Sequence, residues 1–576
     1  MDLSGFGRAL AILLTGSALV PANLSAQTVN APTREEIERG RPPLTETQHP
    51  SKLTVEGGIE RAPCPLADPQ YADLTVTLSG AEFDGLQGLS PDMLRPAWEA
   101  YAGREVPIAT LCEIRDSAAT ILRNAGYLAA VQVPPQRIEK GGVVHFDVLL
   151  AKLVAIQVRG DAGRSERLVA AHLEAVKGLP LFNIHEAERH LLLARDLPGY
   201  DVRLTLRPAN AGPGEVIGEV SVTRQKIQVD ANIQNYGSHE TGRFGGLVRV
   251  QVNDLTGLGD ATTFSLFNTA EFSEQTVLQA GHSFFVGHDG LRLAGDVTYA
   301  WTKPDIGLDI KSETLIASMA ASYPFIRRQS QNLLGSAGFD LVNQKVDFGP
   351  VTLSNDNLRI LFARLDYDMI DGASLASTTG YNAAEPMWRL GGSLEVRQGV
   401  SILDASKPVT GLATDPTAFV LRGSLYGEYR PIPTLTFSLS PRFQYSSDAL
   451  FSYEALSAGN YSVGRGYDPG TIIGDSGIGL QAEMRYGSIV PRKPGAIAIQ
   501  PFIFVDSAWI WNEDVVYSGN DPQKLTSIGG GIRGAWGNHA RFDIALAVPL
   551  ERAGFQTKKG DARLLFSLTT KLVPWR

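Results

Sequence analysis

The sequence predicts a membrane β-barrel of about 16 antiparallel strands preceded by two α/β units of β-α-α-β-β order. Three observations carry that expectation. From Ile227 onward, apolar and polar residues alternate in segments of about 10 residues, as in strands with one face toward lipid and one toward a polar lumen. Between 70 and 226 a strand–helix–helix–strand–strand pattern occurs twice. No run approaches the ~18 apolar residues that a membrane helix needs. The 576-residue chain carries a formal net charge of −9, which argues against non-specific nucleic-acid binding, so no nucleic acid is expected as a partner.

Residues 1–26 read as a secretory signal peptide. Arg8 supplies the positive flank, Ala9 to Val20 the apolar core, and Ala26 a small residue at the cut. Residues 27–69 form a linker punctuated by Pro32, Pro42, Pro43 and Pro50. Within it Thr33 to Arg41 reads as a short helix, with Thr33 as cap and Glu35 and Glu36 in the first turn. The stretch is either a disordered linker or a removable plug. The chain has two cysteines, Cys64 and Cys112. In an exported chain their pairing is the favoured reading over two separate thiols, worth about 3–4 kcal/mol by loop closure.

In the first α/β unit, 70–150, Leu74, Val76 and Leu78 alternate with threonines and mark a strand. Ser90-Pro91 starts a helix carrying Leu94, Trp98 and Tyr101. A second helix runs from Ile108 to Ala125, with Gly126 as its C-cap. Strands near Leu128–Val133 and Val143–Leu150 follow. The second unit, 151–226, opens with a strand through Leu153, Ile156 and Val158. Helices at Ser165–Val176 and Ile184–Arg195 and strands at Tyr200–Pro208 and Glu215–Thr223 complete it. His172, His185 and His190 lie on these helices. His185 and His190 are not on one helical face, so they read as solvated side chains and not as metal ligands.

The barrel, 227–576, opens with a segment near 227–236 and closes with one near 562–573. In 435–445, Leu435, Phe437, Leu439, Phe443 and Tyr445 alternate with Thr436, Ser438, Ser440, Arg442 and Gln444. A soluble sandwich also alternates, but its strands stay nearer about 5–6 residues. Long and short connections mostly alternate, as external loops and periplasmic turns do. Two break the rule: the connection after Phe272 is too short, and 369–386 is too long. Trp301, Trp509, Trp511, Trp536 and Trp575 fall near strand ends, where an aromatic girdle would place them.

The longest connection, 447–475, contains Ser462-Val-Gly-Arg-Gly-Tyr-Asp-Pro-Gly470. Glycines on both sides of Arg465 and the Pro469-Gly470 pair bend the backbone tightly. By strand parity this loop is external. In the thirteenth segment, Ile503, Val505, Trp509 and Trp511 facing lipid put Asp506 toward the lumen, since a carboxylate in lipid would cost up to a few kcal/mol. A guanidinium on a folded-in loop would meet Asp506 bidentately; the alternative is that both are solvated. No Gly-x-Ser-x-Gly element and no phosphate-binding loop is present, and His239, His282, His288 and His539 form no catalytic constellation by spacing. No catalytic residue, metal or cofactor is therefore expected, and the chain reads as a non-enzyme.

Val463-Gly464-Arg465-Gly466-Tyr467 resembles the Val-Arg-Gly-Tyr loop signature of the TpsB two-partner secretion transporters, the ShlB/FhaC/HecB hemolysin secretion/activation family. It departs in having Gly464 directly before the arginine. The Asp506 segment resembles the strand motif that receives this arginine in that family. The stretch with Asn235, Gly237, Thr241-Gly242-Arg243, Asn253-Asp254 and Gly257-Leu-Gly259-Asp260 is similar too, as is Tyr323-Pro324-Phe325-Ile-Arg327. The resemblance covers most of 64–576. It implies that 70–150 and 151–226 are POTRA domains in the periplasm, below a barrel in the outer membrane. It also implies that Thr33–Arg41 stands where relatives carry a pore plug. The implied function is export of one unfolded partner, a TpsA-like protein of hemolysin or filamentous-hemagglutinin type. Outer-membrane lipid and the barrel assembly machinery are the other implied partners. The alternative is an outer-membrane protein assembly factor of the BamA or TamA kind, against which two POTRA units, not three or five, argue.

Overall fold

The computed structural model describes residues 33–38, 53–55, 64–209, 214–377, 379–408, 414–491, 493, 495–513, 521–554 and 556–573. The signal peptide read in 1–26, Arg41 at the end of the expected helix, and Trp575 lie outside them. Ahead of the first unit stand a short helix α1 (Arg34–Ile37) and a three-residue strand β1 (Leu53–Val55).

The first unit holds β2 (Thr75–Asp84), β3 (Glu105–Pro107), α2 (Thr110–Asn124), β4 (Ala129–Gln132) and β5 (Gly142–Leu150), in sheet order β3-β2-β5-β4. The helix expected from Pro91 is instead two 3₁₀ stretches, Pro91–Ala97 and Glu99–Tyr101. Pro96 lacks the N–H that an α-helix would use there, and its ring crowds the preceding turn. Leu94 is nevertheless fully buried against the sheet. The short strand β3, antiparallel to Thr75–Thr77, carries no signal in the sequence because its three residues cannot display a period. Gly126, at φ +89°, follows the last turn of α2 and accepts the amide of Ile184, so the cap also joins the two units. Cys64 and Cys112 form a disulfide with Cα atoms 5.8 Å apart, fastening the entry segment to α2.

The second unit comprises β6 (Lys152–Gly160), α3 (Glu166–Lys177), α4 (Ile184–Arg195), β7 (Tyr200–Pro208) and β8 (Glu215–Arg224). Its sheet runs β1-β7-β8-β6, so the linker strand β1 is its fourth member. Both helices cover one face and bury Val169, Leu173, Leu191, Leu204 and Val220. His172 departs from the solvated reading: it is only 2% exposed, because α3 turns that position toward α4. Burial, with His190 and His288 nearby, lowers its pKa to about 4.

Among the described residues sixteen antiparallel strands close the barrel, the first (Ile227–Gln234) pairing with the last (Arg563–Val573) from Gln234↔Ser567 to Val229↔Val573. Outward positions such as Leu278, Val297 and Ile503 are exposed toward lipid. Ser265, Gln279, Ser318 and Gln344 are buried in the lumen. The two irregular connections are features of the fold. The segment after Phe272 is a tight external turn between Ala261–Thr269 and Gln275–Val286. On the side of the two α/β units, 371–387 carries a 3₁₀ stretch at Gly372–Ala376. The strands Gln331–Phe348 and Val351–Ile370 run well beyond 10 residues and meet at Gly349-Pro350. Thr352 Oγ1 donates across the pair to Asp347 at 2.7 Å, and the backbone ladder continues past the membrane surface.

The second unit is seated on the periplasmic turns. Arg327 holds the Asp196 carboxylate with two bonds of 2.7 and 2.6 Å. Asp254, in the turn before Ala261, takes Arg224 at 2.6 Å and also accepts from the Ser165 hydroxyl and the Arg164 amide. Phe285 from the barrel completes the apolar core of this unit.

Candidate functional site

The loop 447–475 lies in the lumen. A small hairpin, Leu456–Ala458 with Ile472–Gly474, gives it internal support. Tyr453, Val463 and Tyr467 are each 1% exposed, and Val463 and Tyr467 pack with Ala508, Ile510 and Leu525 on the barrel wall. Burying three such side chains supplies several kcal/mol against the entropy of ordering the loop, at roughly 1.5–3 kcal/mol each. Gly464 has φ +117°, and a Cβ there would come within 2.5 Å of Leu525 Cδ1. The extra glycine before the arginine is thus the residue that lets the chain turn flat against the wall. A Cβ on Gly466 would meet Pro549 N at 2.9 Å, and the Gly466 amide donates to Ser527 Oγ at 3.2 Å. Tyr467 Oη lies 2.9 Å from the carbonyl oxygens of both Thr526 and Glu551.

This backbone aims Arg465 at Asp506. Nη2 donates to Oδ1 at 2.6 Å, Nε to Oδ2 at 2.9 Å, and the Arg465 amide to Oδ2 at 3.0 Å. Asp506 is fully buried. The guanidinium carbon stands 3.6 Å above the Phe504 ring, so the cation is held on its flat face as well as at its edge. Nη1 donates to Glu483 on the neighbouring strand. Glu483 also receives Arg533 at 2.8 and 2.9 Å and Arg485 at 2.7 Å. Arg533 continues to Asp543 at 2.7 Å and stacks on Phe502 at 4.1 Å. Arg485 continues to Glu428. One loop arginine is therefore inserted into a continuous row of wall charges.

Glu483, Arg485, Arg533 and Asp543 were not singled out by the sequence reading. Their signal was present: Gln481, Glu483 and Arg485 alternate with the outward Met484 and Tyr486, and Arg533 is the register partner of Asp543. What sequence alone lacks is which lumen charges on different strands share a level. Asp468, next to Tyr467, forms another anchor, 2.8 Å from Arg563 on the last strand.

A second cluster joins the loop to the other side of the lumen. Arg397 bonds Glu454 at 2.9 and 3.0 Å and Asp340 at 2.8 Å, and Arg422 reaches Glu454 at 3.0 Å. The helix α1 stands here. Thr33 caps it reciprocally: the Glu36 amide donates to Thr33 Oγ1 at 3.3 Å and the Thr33 amide to Glu36 Oε2 at 2.9 Å. Ile37 is wholly buried among Phe267, Val277, Ile316, Val342, Ile360 and Tyr453. Gln279 Nε2 donates to the Ile37 carbonyl at 3.3 Å. The loop holds α1 directly, through Tyr453 Oη to Glu38 at 2.7 Å and Ser457 Oγ to Glu35 at 2.8 Å. The same loop thus grips the wall at Arg465 and the helix at Tyr453 and Ser457.

Comparison with known proteins adds the family. The haemolysin secretion/activation protein ShlB/FhaC/HecB model matches residues 372–534, which include the loop, Glu483, Asp506 and Arg533. The POTRA domain, ShlB-type, matches residues 76–149. Over these two stretches the chain is similar to transporters of the ShlB/FhaC/HecB type. Curated relatives of such a transporter include the heme/hemopexin transporter protein HuxB of Haemophilus influenzae strain 86-028NP, 21% identical over 81% of this chain and 82% of that one. The outer membrane transporter CdiB of Escherichia coli O6:K15:H31 is 20% identical over 90% of this chain and 84% of that one. Among solved structures, CdiB from Escherichia coli gives a TM-score of 0.68 at 16% identity, covering 89% of this chain and 94% of that one. CdiB from Acinetobacter baumannii gives 0.60 at 17%, covering 99% and 97%. BamA from Haemophilus ducreyi lacking POTRA domains 1–3 gives 0.51 at 12%, covering 87% and 100%. At these identities the structural likeness speaks for the fold. The barrel spans the outer membrane, and the α/β units, the first of which matches a POTRA domain, lie on the periplasmic side.

Proposed function

We propose that the chain exports one secreted protein of the hemolysin or filamentous-hemagglutinin class, with the POTRA units receiving it unfolded and the barrel lumen conducting it outward. The observation that carries this reading is the loop 447–475, held to the wall by Arg465–Asp506 and to α1 by Tyr453–Glu38. A lumen filled by two such removable parts suits a gated path better than a static pore. Relatives point the same way: HuxB is named a transporter for heme/hemopexin, and CdiB an outer membrane transporter. In this reading α1 and the loop release together, because their contacts are shared. The polar lumen carries an extended chain by hydrogen bonding and charge without a fixed sequence, and folding of the cargo outside gives direction. No covalent bond is made or broken.

The test is deletion of the gene followed by protein analysis of the medium and the outer membrane. Export predicts that one large protein vanishes from the medium while other barrel proteins keep their levels. A general fall in outer-membrane barrel proteins would replace this reading with an assembly factor.

A further inference from the structure

Five neighbouring barrel strands, from Trp388–Gly399 through Phe419–Ile432, Leu435–Ser446 and Ser476–Tyr486 to Ile497–Trp511, share a groove of about 800 Å³ on their lipid-facing side. Two rows of register partners cross it. The row nearer the periplasm, Trp388, Tyr429, Phe437, Met484 and Ile503, is large throughout. In the next row Gly427 and Ala482 stand on either side of Leu439, with Leu390 and Val505 at the ends. The two small residues leave hollows fenced by larger neighbours. Their inward-facing neighbours Glu428 and Glu483 belong to the row of charges that receives Arg465, so the groove is the outer surface of that wall. We propose that the groove is a binding site for a phospholipid of the periplasmic leaflet, with one acyl chain lying over Gly427 and Ala482. The proposal goes beyond the export reading and does not depend on it.

Shape, continuity and level support it. Lipid tails are as apolar as leucine, so an apolar patch in a bilayer is distinguished from the rest of the barrel by packing and not by leaving water. At Gly427 the protein supplies no packing of its own. A Cβ there would find its nearest atom, Leu439 O, 4.0 Å away. By contrast, a Cβ on Gly423 would run into the ring of its register partner Phe443, and one on Gly534 into that of Phe542. An unfilled hollow forfeits the dispersion contacts of its lining, and a flexible chain seated between walls restores them. The volume lies within the roughly 300–1,000 Å³ of small-molecule sites. The groove is continuous with the lipid interface, since Leu439, Met484 and Ile503 are 48%, 40% and 56% exposed. Its level selects the leaflet. Trp388 directly follows the periplasmic connection 371–387, and Tyr429 and Phe437 stand close to the periplasmic turn at Pro433-Thr434. Aromatic side chains in such places mark the headgroup level. Lys493, exposed in the periplasmic turn after Tyr486, offers a phosphate a cation there. Lipid A belongs to the opposite leaflet, at the far ends of these strands.

The experiment uses the full-length protein in phospholipid nanodiscs and, as probe, a phosphatidylethanolamine with a diazirine on one acyl chain. After illumination the cross-links are mapped by peptide mass spectrometry. Peptides carrying Gly427, Leu439 and Ala482 are expected to hold at least about threefold more label per lipid-facing residue than the rest of the barrel. Gly427→Leu combined with Ala482→Leu fills both hollows and should remove that excess. Ala280→Leu, at an exposed position of the strand Gln275–Val286 outside the groove, should leave it unchanged. Heat-modifiability on gels shows whether each variant is folded. Even labelling around the wild-type barrel overturns the proposal, whether or not the leucine pair inserts. An undiminished excess in a folded leucine pair overturns it as well. Lipid A added to the nanodisc should leave the label in place, and displacement by lipid A would overturn the assignment to a periplasmic-leaflet phospholipid.

Discussion

Arg465 and Asp506 meet through two guanidinium bonds of 2.6 and 2.9 Å, and the arginine's own amide closes on the same carboxylate at 3.0 Å. One residue thus fixes both its side chain and its backbone to a single acceptor. The loop's position and its charge pairing cannot be lost separately.

Arg465→Ala leaves Asp506 buried without its cation, an effect of up to about 3–5 kcal/mol that lumen water reduces. Secretion is expected to fall severalfold while the barrel stays inserted and heat-modifiable on gels. Arg465→Lys restores little, since an ammonium provides neither the bidentate fork nor the flat stack on Phe504. Normal secretion by the alanine variant would remove the pair from the export mechanism.

Glu483→Gln strands three arginines, Arg465, Arg485 and Arg533, around a neutral group. Its effect on loop retention should exceed that of Asp543→Asn, which touches only the Arg533 arm. Cysteine labelling of the loop from outside, compared between the two variants, measures the difference; equal labelling would contradict the shared role of Glu483.

Tyr453→Phe removes the 2.7 Å bond to Glu38 without changing the packing of the ring. A bond to a charged acceptor is worth about 1.5–3 kcal/mol, so α1 should leave the lumen more often. Planar-bilayer recordings are expected to find larger and more frequent openings. Unchanged conductance would mean that Tyr453 does not hold the helix.

The second α/β unit should weaken in acid. His172 has its pKa lowered to about 4 by burial, with His190 on α4 and His288 and Asp289 on the adjoining barrel turn also facing it. An unfolded histidine titrates near 6.5, so between about 6.5 and 4 the unfolded state binds more protons than the folded one. The contribution of His172 is fully present above about pH 6.5 and is lost as pH falls toward 4, by up to about 3 kcal/mol. Hydrogen exchange of α3 and α4 from pH 7 to pH 4 reports this, and His172→Leu should flatten the profile.

Cys112→Ala opens the link to Cys64, which closes a sequence separation of 48 residues. Loop-closure entropy puts the loss at about 4 kcal/mol for the first unit, read as faster proteolysis between the entry segment and α2.

The sequence by itself determined the barrel, because a period of two repeated over sixteen segments admits few structures once long strands and lipid exposure are required. It also determined the order of the second α/β unit, whose two helices each show apolar residues at helical spacing. The lumen face of Asp506 followed from the outward Ile503, Val505 and Trp509 on the same strand. Tertiary structure decided the rest. α3 buried a histidine that local sequence left in solvent, whereas the 3₁₀ geometry around Leu94 traces to Pro96, which the sequence already carries. The linker strand Leu53–Val55 acquired its structure only from the β7 edge, since three residues have no period of their own. Above all, the inward fold of the loop depends on groups far apart in sequence: Asp506, Glu483 and Phe504 for Arg465, Leu525 for Gly464, and Glu38 for Tyr453. Each becomes a neighbour only when the barrel closes and brings its strands to one level.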